Sequence, residues 1–319
     1  MKGFDPRFAD LDDYIRVITA RIWEGRELHR IRDWYAPDCA VITPGGTQQG
    51  VDAVVRGTLE TLTQFPDRRL LCEDIVSAGD DEIGYLSSHR IASTMTHLGA
   101  GAFGPASGRP VRVRTVADCV CLGNRIVHEW LVRDQGAIAL QLGTTPRELA
   151  QRWLQTRGTP VLPLPQPPAA KAAPGWRDPL HTTPGAALLA ACYRAIWAGD
   201  LSALARHADE AVALHGPNGL MGMGVGDAEA FWFGLTAAFA GATLHIDSLA
   251  ERIDPGRTPR VAMRWRLVGQ HTGGGRYGAP TQRPVEVLGI THAEVDHRSG
   301  RILREWVLLD EVALWMQLL

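Results

Sequence analysis

Residues 97–111, HLGAGAFGPASGRPV, are answered at 271–285 by HTGGGRYGAPTQRPV, an offset of 174. Seven of the fifteen positions are identical: the leading His97/His271, three glycine pairs and the closing Arg-Pro-Val. A second block follows, in which Glu129-Trp130, Asp134 and Gln141-Leu142 return as Glu305-Trp306, Asp310 and Gln317-Leu318 with the offset grown to 176. Two residues are inserted between the blocks, most simply in the turn Asp296 to Gly300 that answers Gly123-Asn124. Trp23 and Trp197 carry the correspondence back to the first helix. A period this long marks a duplicated globular domain, not a solenoid of short units.

Composition agrees. The 319 residues suit two domains of ordinary size, each able to bury a core without disulfides or metals. A formal net charge of −2 gives no electrostatic footprint for nucleic acid or an anionic membrane. No apolar run is long enough to span a bilayer, and the acidic start MKGFDPRFADLDDY is unlike a signal peptide, so a cytoplasmic location is expected. The five cysteines are odd in number, lack CxxC and stand mostly in apolar stretches, which reads as reduced core residues.

Along the chain, apolar residues at helical spacing predict helices over 11–24, 27–35 and 51–65, with a short strand at 39–43 between the last two. The period then changes to two, giving strands over 70–77, 83–96, 110–121 and 125–134. Helices first and an antiparallel meander after them make an α+β domain with helices laid on one face of a curved sheet. After a helix at 146–157, eight prolines between 159 and 185 predict a semi-rigid extended linker. The domains are thus expected at 1–158 and 186–319, the second with helices near 186–198, 201–207 and 227–240 and strands near 211–215, 243–252, 259–271, 284–295 and 301–310.

Thr96-His97, the glycine-rich turn, Ser107-Gly108-Arg109-Pro110-Val111, Arg125-Ile126, Trp130, Asp134 and Gln141-Leu142-Gly143 resemble the SnoaL-like polyketide cyclases of the nuclear transport factor 2-like superfamily. Pro280-Thr281 of the second copy stands where that family has Pro-Thr-Gly. The resemblance implies tandem cone-shaped, cystatin-like α+β barrels, each with a deep pocket. It also implies pairing through the outer faces of the sheets, here within one chain, with a homodimer as a further option. Its acid/base aspartate falls on Leu131 in the first copy and Val307 in the second, and neither can carry a proton. The family's own cyclisation mechanism is therefore not expected from either half.

Strand alternation supplies replacements. Glu129 shares a face with Leu131, and Glu305 with Val307. If those faces line pockets, apolar neighbours would raise both carboxyls toward values useful in acid/base work; the alternative is an outward face with ion pairs to Arg133 or Arg304. Asp118 and Arg114 share one face of their strand, and their counterparts are His292 and Leu288, so the two pockets differ chemically. Arg90 and its counterpart Arg264, with His89, are candidates for binding substrate. Trp232 and Trp265, which have no tryptophan counterparts, are candidates for stacking on it. Trp23, Trp197, Trp130 and Trp306 read as packing, and His97 and His271 as holding the turn. No histidine spacing suits a metal, and no cofactor is expected.

Two functions follow. One is a cofactor-free enzyme acting on a small organic molecule by isomerisation, hydration or dehydration, or cyclisation. The other is a non-catalytic binding or assembly protein with filled pockets. Because His292 could relay protons with Glu305 near neutral pH, the second domain is expected to be the catalytic one, with Glu305→Gln abolishing turnover and Glu129→Gln sparing it.

Overall fold

A computed structural model describes residues 1–164 and 176–319; positions 165–175 of the expected linker lie outside the described residues. The first domain runs α1 (Leu11–Trp23), a 3-10 turn, α2 (Ile31–Trp34), β1 (Tyr35–Thr43), β2 (Gly46–Gln49), α3 (Val51–Gln64), β3 (Arg69–Asp80), β4 (Gly84–Thr96), β5 (Pro110–Leu122), β6 (Arg125–Arg133), α4 (Gln135–Leu142) and α5 (Pro146–Arg157). The second runs α6 (Pro184–Trp197), α7 (Ala203–His207), β7 (Ala208–His215), β8 (Met221–Met223), α8 (Val225–Ala238), β9 (Thr243–Arg252), β10 (Arg260–Gln270), β11 (Pro284–Asp296), β12 (Arg301–Leu309) and α9 (Glu311–Leu318).

The sheets have the same strand order, β2-β1-β6-β5-β4-β3 and β8-β7-β12-β11-β10-β9. Each is an antiparallel meander closed by one parallel pairing, β1 on β6 and β7 on β12, so the sheets are mixed where a purely antiparallel one was expected. The helix expected over 27–35 is only a 3-10 turn and a single α-turn, because Tyr35 already begins β1. Helix α1 forms for local reasons. Asp10 caps it by accepting the Asp13 N–H at 2.8 Å, and Leu11, Tyr14, Ile15, Ile18 and Ile22 make one buried stripe against the sheet.

The glycine-rich turns dock on the ends of α3 and α8. The N–H groups of Leu98 and Gly99 donate to the Gln64 carbonyl, and those of Thr272 and Gly273 donate to Ala238. A Cβ on Gly99 would stand 1.9 Å from the Thr63 carbonyl oxygen, and one on Gly273 would stand 1.7 Å from that of Ala237. Close backbone approach, rather than ligand chemistry, explains why both copies carry glycine there. His97 and His271 hold the turns through their Nδ1 atoms, to Ser107 Oγ at 3.1 Å and Thr281 Oγ1 at 3.2 Å.

The outer faces of the two sheets pack together about a pseudo-two-fold axis. Arg90 lies over the Trp306 ring at 3.6 Å, and its repeat partner Arg264 lies over Trp130 at 3.5 Å. Val116, Val120 and Val132 meet Leu288, Ile290 and Leu308 in one apolar cluster between the domains. Farther out, α5 and α9 pack through Leu149, Trp153, Val312 and Met316. Among the described residues no helix is long and apolar enough to cross a membrane.

Candidate functional site

Cross-strand register decides which candidates meet. In the first domain Cys119 faces Glu129, Ala117 faces both His89 and Leu131, and Thr115 faces both Ile91 and Arg133. These odd-numbered residues line the concave face, which α1 and α3 cover. Between them lies a cavity of about 110 Å³, with Glu129, His89, Tyr35, Arg68 and Arg133 in its wall. It shares Trp23, Val41, Gln48, Leu131 and Arg133 with an outer vestibule of about 500 Å³. Asp310, Ala313 and Met316 of the second domain help to line that vestibule.

Glu129 is buried, and its Oε2 accepts the Tyr35 hydroxyl at 3.0 Å. Loss of hydration raises its pKa from the usual 4.5 to about 7, against the opposing pull of the Tyr35 bond and the Arg133 charge. His89 is driven the other way, to about 3, by burial and then by the charge of Arg16, so it is neutral. The wall therefore offers a carboxyl that changes state near neutrality, beside a neutral imidazole.

The second domain has the same carboxylate and a filled interior. Glu305 accepts the Tyr193 hydroxyl at 2.5 Å; that hydroxyl is 2.7 Å from Thr291 Oγ1, which accepts the Trp265 indole N–H at 3.0 Å. Tyr193 packs on Trp232 with ring centroids 4.7 Å apart, and all three aromatic residues are at most 1% exposed. Tyr193 stands where the first domain has Thr19, Trp232 where it has Thr58, Trp265 where it has Ile91, and Met263 where it has His89. Gly289, the counterpart of Thr115, makes room for this packing, since a Cβ there would be 2.2 Å from the Trp265 ring. Trp232 and Trp265 thus fill the cone instead of lining a pocket. Burial raises Glu305 to about 7 as well, but it touches packed side chains.

The remaining candidates stand on the opposite faces. Asp118 pairs across strands with Trp130, and His292 with Trp306, so neither shares a face with Glu129 or Glu305. The expected Glu305–His292 relay does not exist. Asp118 and His292 instead meet at the domain interface through Ser88, whose hydroxyl donates to Asp118 Oδ1 and lies 2.8 Å from His292 Nε2. Arg264 binds Asp118 at 3.1 Å and Asp178 at 2.7 Å. Burial, only partly offset by Arg264, raises the Asp118 pKa; burial and then the charge of Arg90 put His292 well below the histidine range. Arg90 and Arg114 both bind Glu73, at 3.1 and 2.7 Å. Of the ten residues singled out, only Glu129 and His89 line the cavity.

Tyr35, Arg68 and the cavity role of Arg133 were not anticipated. The signal was available, because aligning the halves shows polar Arg68, His89 and Arg133 answered by Ala242, Met263 and Leu309. Among the described residues no cluster of three or more His, Cys, Asp or Glu could hold a metal ion.

A family model described as SnoaL-like polyketide cyclase matches residues 15–142 and 187–318. Among solved structures, IdmH from Streptomyces antibioticus shares 26% identity over 42% of this chain and 98% of its own, with a TM-score of 0.37. TsrD from Streptomyces laurentii shares 18% over 44% and 98%, TM-score 0.37. A SnoaL-like polyketide cyclase from Agrobacterium tumefaciens shares 19% over 42% and 98%, TM-score 0.36. No curated protein matches. The two matched segments span most of the sequence, and the chain belongs to the SnoaL-like polyketide cyclase family, which it carries in two tandem copies.

Proposed function

We propose that the chain is a cofactor-free acid/base enzyme whose reaction takes place in the first domain, with the second domain as its support. The observation that carries this is the pair of homologous glutamates: Glu129 faces a cavity, while Glu305 is enclosed by Tyr193, Trp232 and Trp265. In its ionised form Glu129 removes a proton from a carbon made acidic by a neighbouring carbonyl, and in its protonated form it returns the proton to a different atom. The outcome is isomerisation, elimination of water or ring closure, depending on the substrate. Tyr35 orients the carboxylate and stabilises its charge; burial away from water keeps its pKa close to neutrality, where base and acid forms are both populated. A filled interior suits the second domain to an assembly role, building the shared sheet interface and part of the vestibule.

Nitrobenzisoxazole tests the assignment without knowledge of the natural substrate. A carboxylate in an apolar cavity removes its ring C–H proton, the N–O bond breaks, and a coloured cyanophenolate forms. Turnover should fall by at least about a hundredfold in Glu129→Gln, as expected for loss of a general base, and be unchanged in Glu305→Gln. Equal losses, or none from Glu129→Gln, would overturn it.

A further inference from the structure

The first domain's cavity holds a row of buried donors with nothing to bind. Arg68 is 1% exposed; its Nη2 donates to Ser93 Oγ at 3.1 Å, while Nε and Nη1 have no hydrogen-bond partner. Its guanidinium lies 4.6 Å from the centre of the Trp23 ring. Arg133 Nε and Thr115 Oγ1 are likewise buried without partners. Among the described residues neither arginine has a carboxylate within ion-pair distance, whereas the buried Arg90, Arg260 and Arg264 each do. Unpaired guanidinium groups are costly to bury, and these two also repel each other. Burial and then the charge of Arg133 hold Arg68 well below the usual arginine range.

These groups occupy one end of the cavity. Glu129 and Arg133 are four residues apart on one strand, about 13 Å by strand rise. Arg133 pairs with Thr115, Thr115 with Ile91, and Ser93, the partner of Arg68, lies one step beyond. The second domain, where the interior is filled, has Ala242, Leu309 and Gly289 at the positions of Arg68, Arg133 and Thr115. The fold itself therefore does not require the cationic end; it accompanies the open cavity.

We propose that this cavity takes a substrate bearing a carboxylate, held by Arg68 and Arg133 with the Thr115 hydroxyl, so that the acidic carbon at the substrate's other end lies against Glu129. This rests on the assignment of the first domain's cavity as the reaction site. A planar carboxylate fits the fork of an arginine and satisfies several orphaned donors at once.

Benzoate and its neutral isostere benzamide are the probes, titrated calorimetrically into the full chain. Benzoate should bind the wild type at least about tenfold more tightly, the scale of hydrogen bonds to charged groups, and should compete with nitrobenzisoxazole. Arg68→Met and Arg133→Met should each lose the preference, whereas Glu129→Gln should keep it. Thermal melts provide the folding control, with Arg68→Met expected to melt no lower than the wild type because an unpaired buried charge is gone. No preference in the wild type, or one that survives both arginine changes, overturns the proposal. If the preference follows the arginines while Glu129→Gln retains nitrobenzisoxazole turnover, the anion site stands and the role given to Glu129 falls.

Discussion

Replacing Glu305 with glutamine should make the protein's stability less sensitive to pH. Glu305 is 2% exposed, and burial moves its carboxyl from 4.5 to about 7. A folded-state pKa above the unfolded one means that folding takes up a proton between those two values. The stabilising contribution is thus fully present below about pH 4.5 and is lost as pH rises toward 7. At ~1.4 kcal/mol per pH unit the ionised form carries a penalty of about 3 kcal/mol, of which about 2–3 kcal/mol develops between pH 5 and pH 8. Glutamine keeps the volume and can accept the Tyr193 hydroxyl, but it does not ionise. Its amide N–H groups add a desolvation cost of their own, which is the same at both pH values and cancels in the comparison. Scanning calorimetry of both proteins at pH 5 and pH 8 should show the variant's Tm, relative to wild type, higher at pH 8 by roughly 3–5 °C for a chain of this length unfolding as one unit. A relative Tm that stays flat across this range would mean that Glu305 is hydrated or paired and that the second cone is not closed.

If Glu129 is the base as proposed, nitrobenzisoxazole turnover should rise with pH through about 7 as its carboxyl ionises, and Tyr35→Phe should move the midpoint upward by removing a donor to the ionised form; a rate profile is the check. Trp265→Ala should cost about 3–5 kcal/mol in denaturant unfolding, through the void left over Gly289. Arg264→Met should cost about 3–5 kcal/mol by leaving Asp118 buried without its cation; Asp118→Asn in the same chain should recover part of it, and a double-mutant cycle measures the coupling.

Much of the fold could be read from the sequence because duplication states it twice. The two offsets locate equivalent strands and place the extra residues in one turn. Helices α4 and α9 were missed because QGAIALQL and EVALWMQL are apolar on nearly all sides, so no helical stripe marks them. The parallel pairing of β1 with β6 joins strands distant in sequence and leaves no local pattern. The site was less legible. Alternation identifies residues that share a face within one strand, and it correctly puts Glu129 with Leu131. It does not say which residues of the next strand stand opposite. Register, shifted by irregularities such as that between Val120 and Cys121, separates Asp118 from Glu129 and His292 from Glu305. Cavity against filled core depends on volume, and the volumes at Ile91/Trp265 and Thr19/Tyr193 acquire meaning only when the two halves are laid side by side.

The meeting of Asp118, Ser88 and His292 has a bearing on assembly. In a two-fold homodimer a residue close to the axis faces its own duplicate, so an aspartate there would confront an aspartate. Covalent linkage removes that restriction, and here repeat-equivalent positions hold an acid in one half and an imidazole in the other, with Arg264 neutralising the acid from across the boundary. Two first domains brought together would set two Asp118 carboxylates against each other across Ser88, with Arg90 in the place of Arg264; two second domains would bury two such arginines beside His292 with no Asp118 to meet them. Each half is thus chemically matched to its opposite and mismatched to itself, which discourages exchange of halves between chains and keeps the cavity-bearing copy beside the copy that helps to wall its entrance.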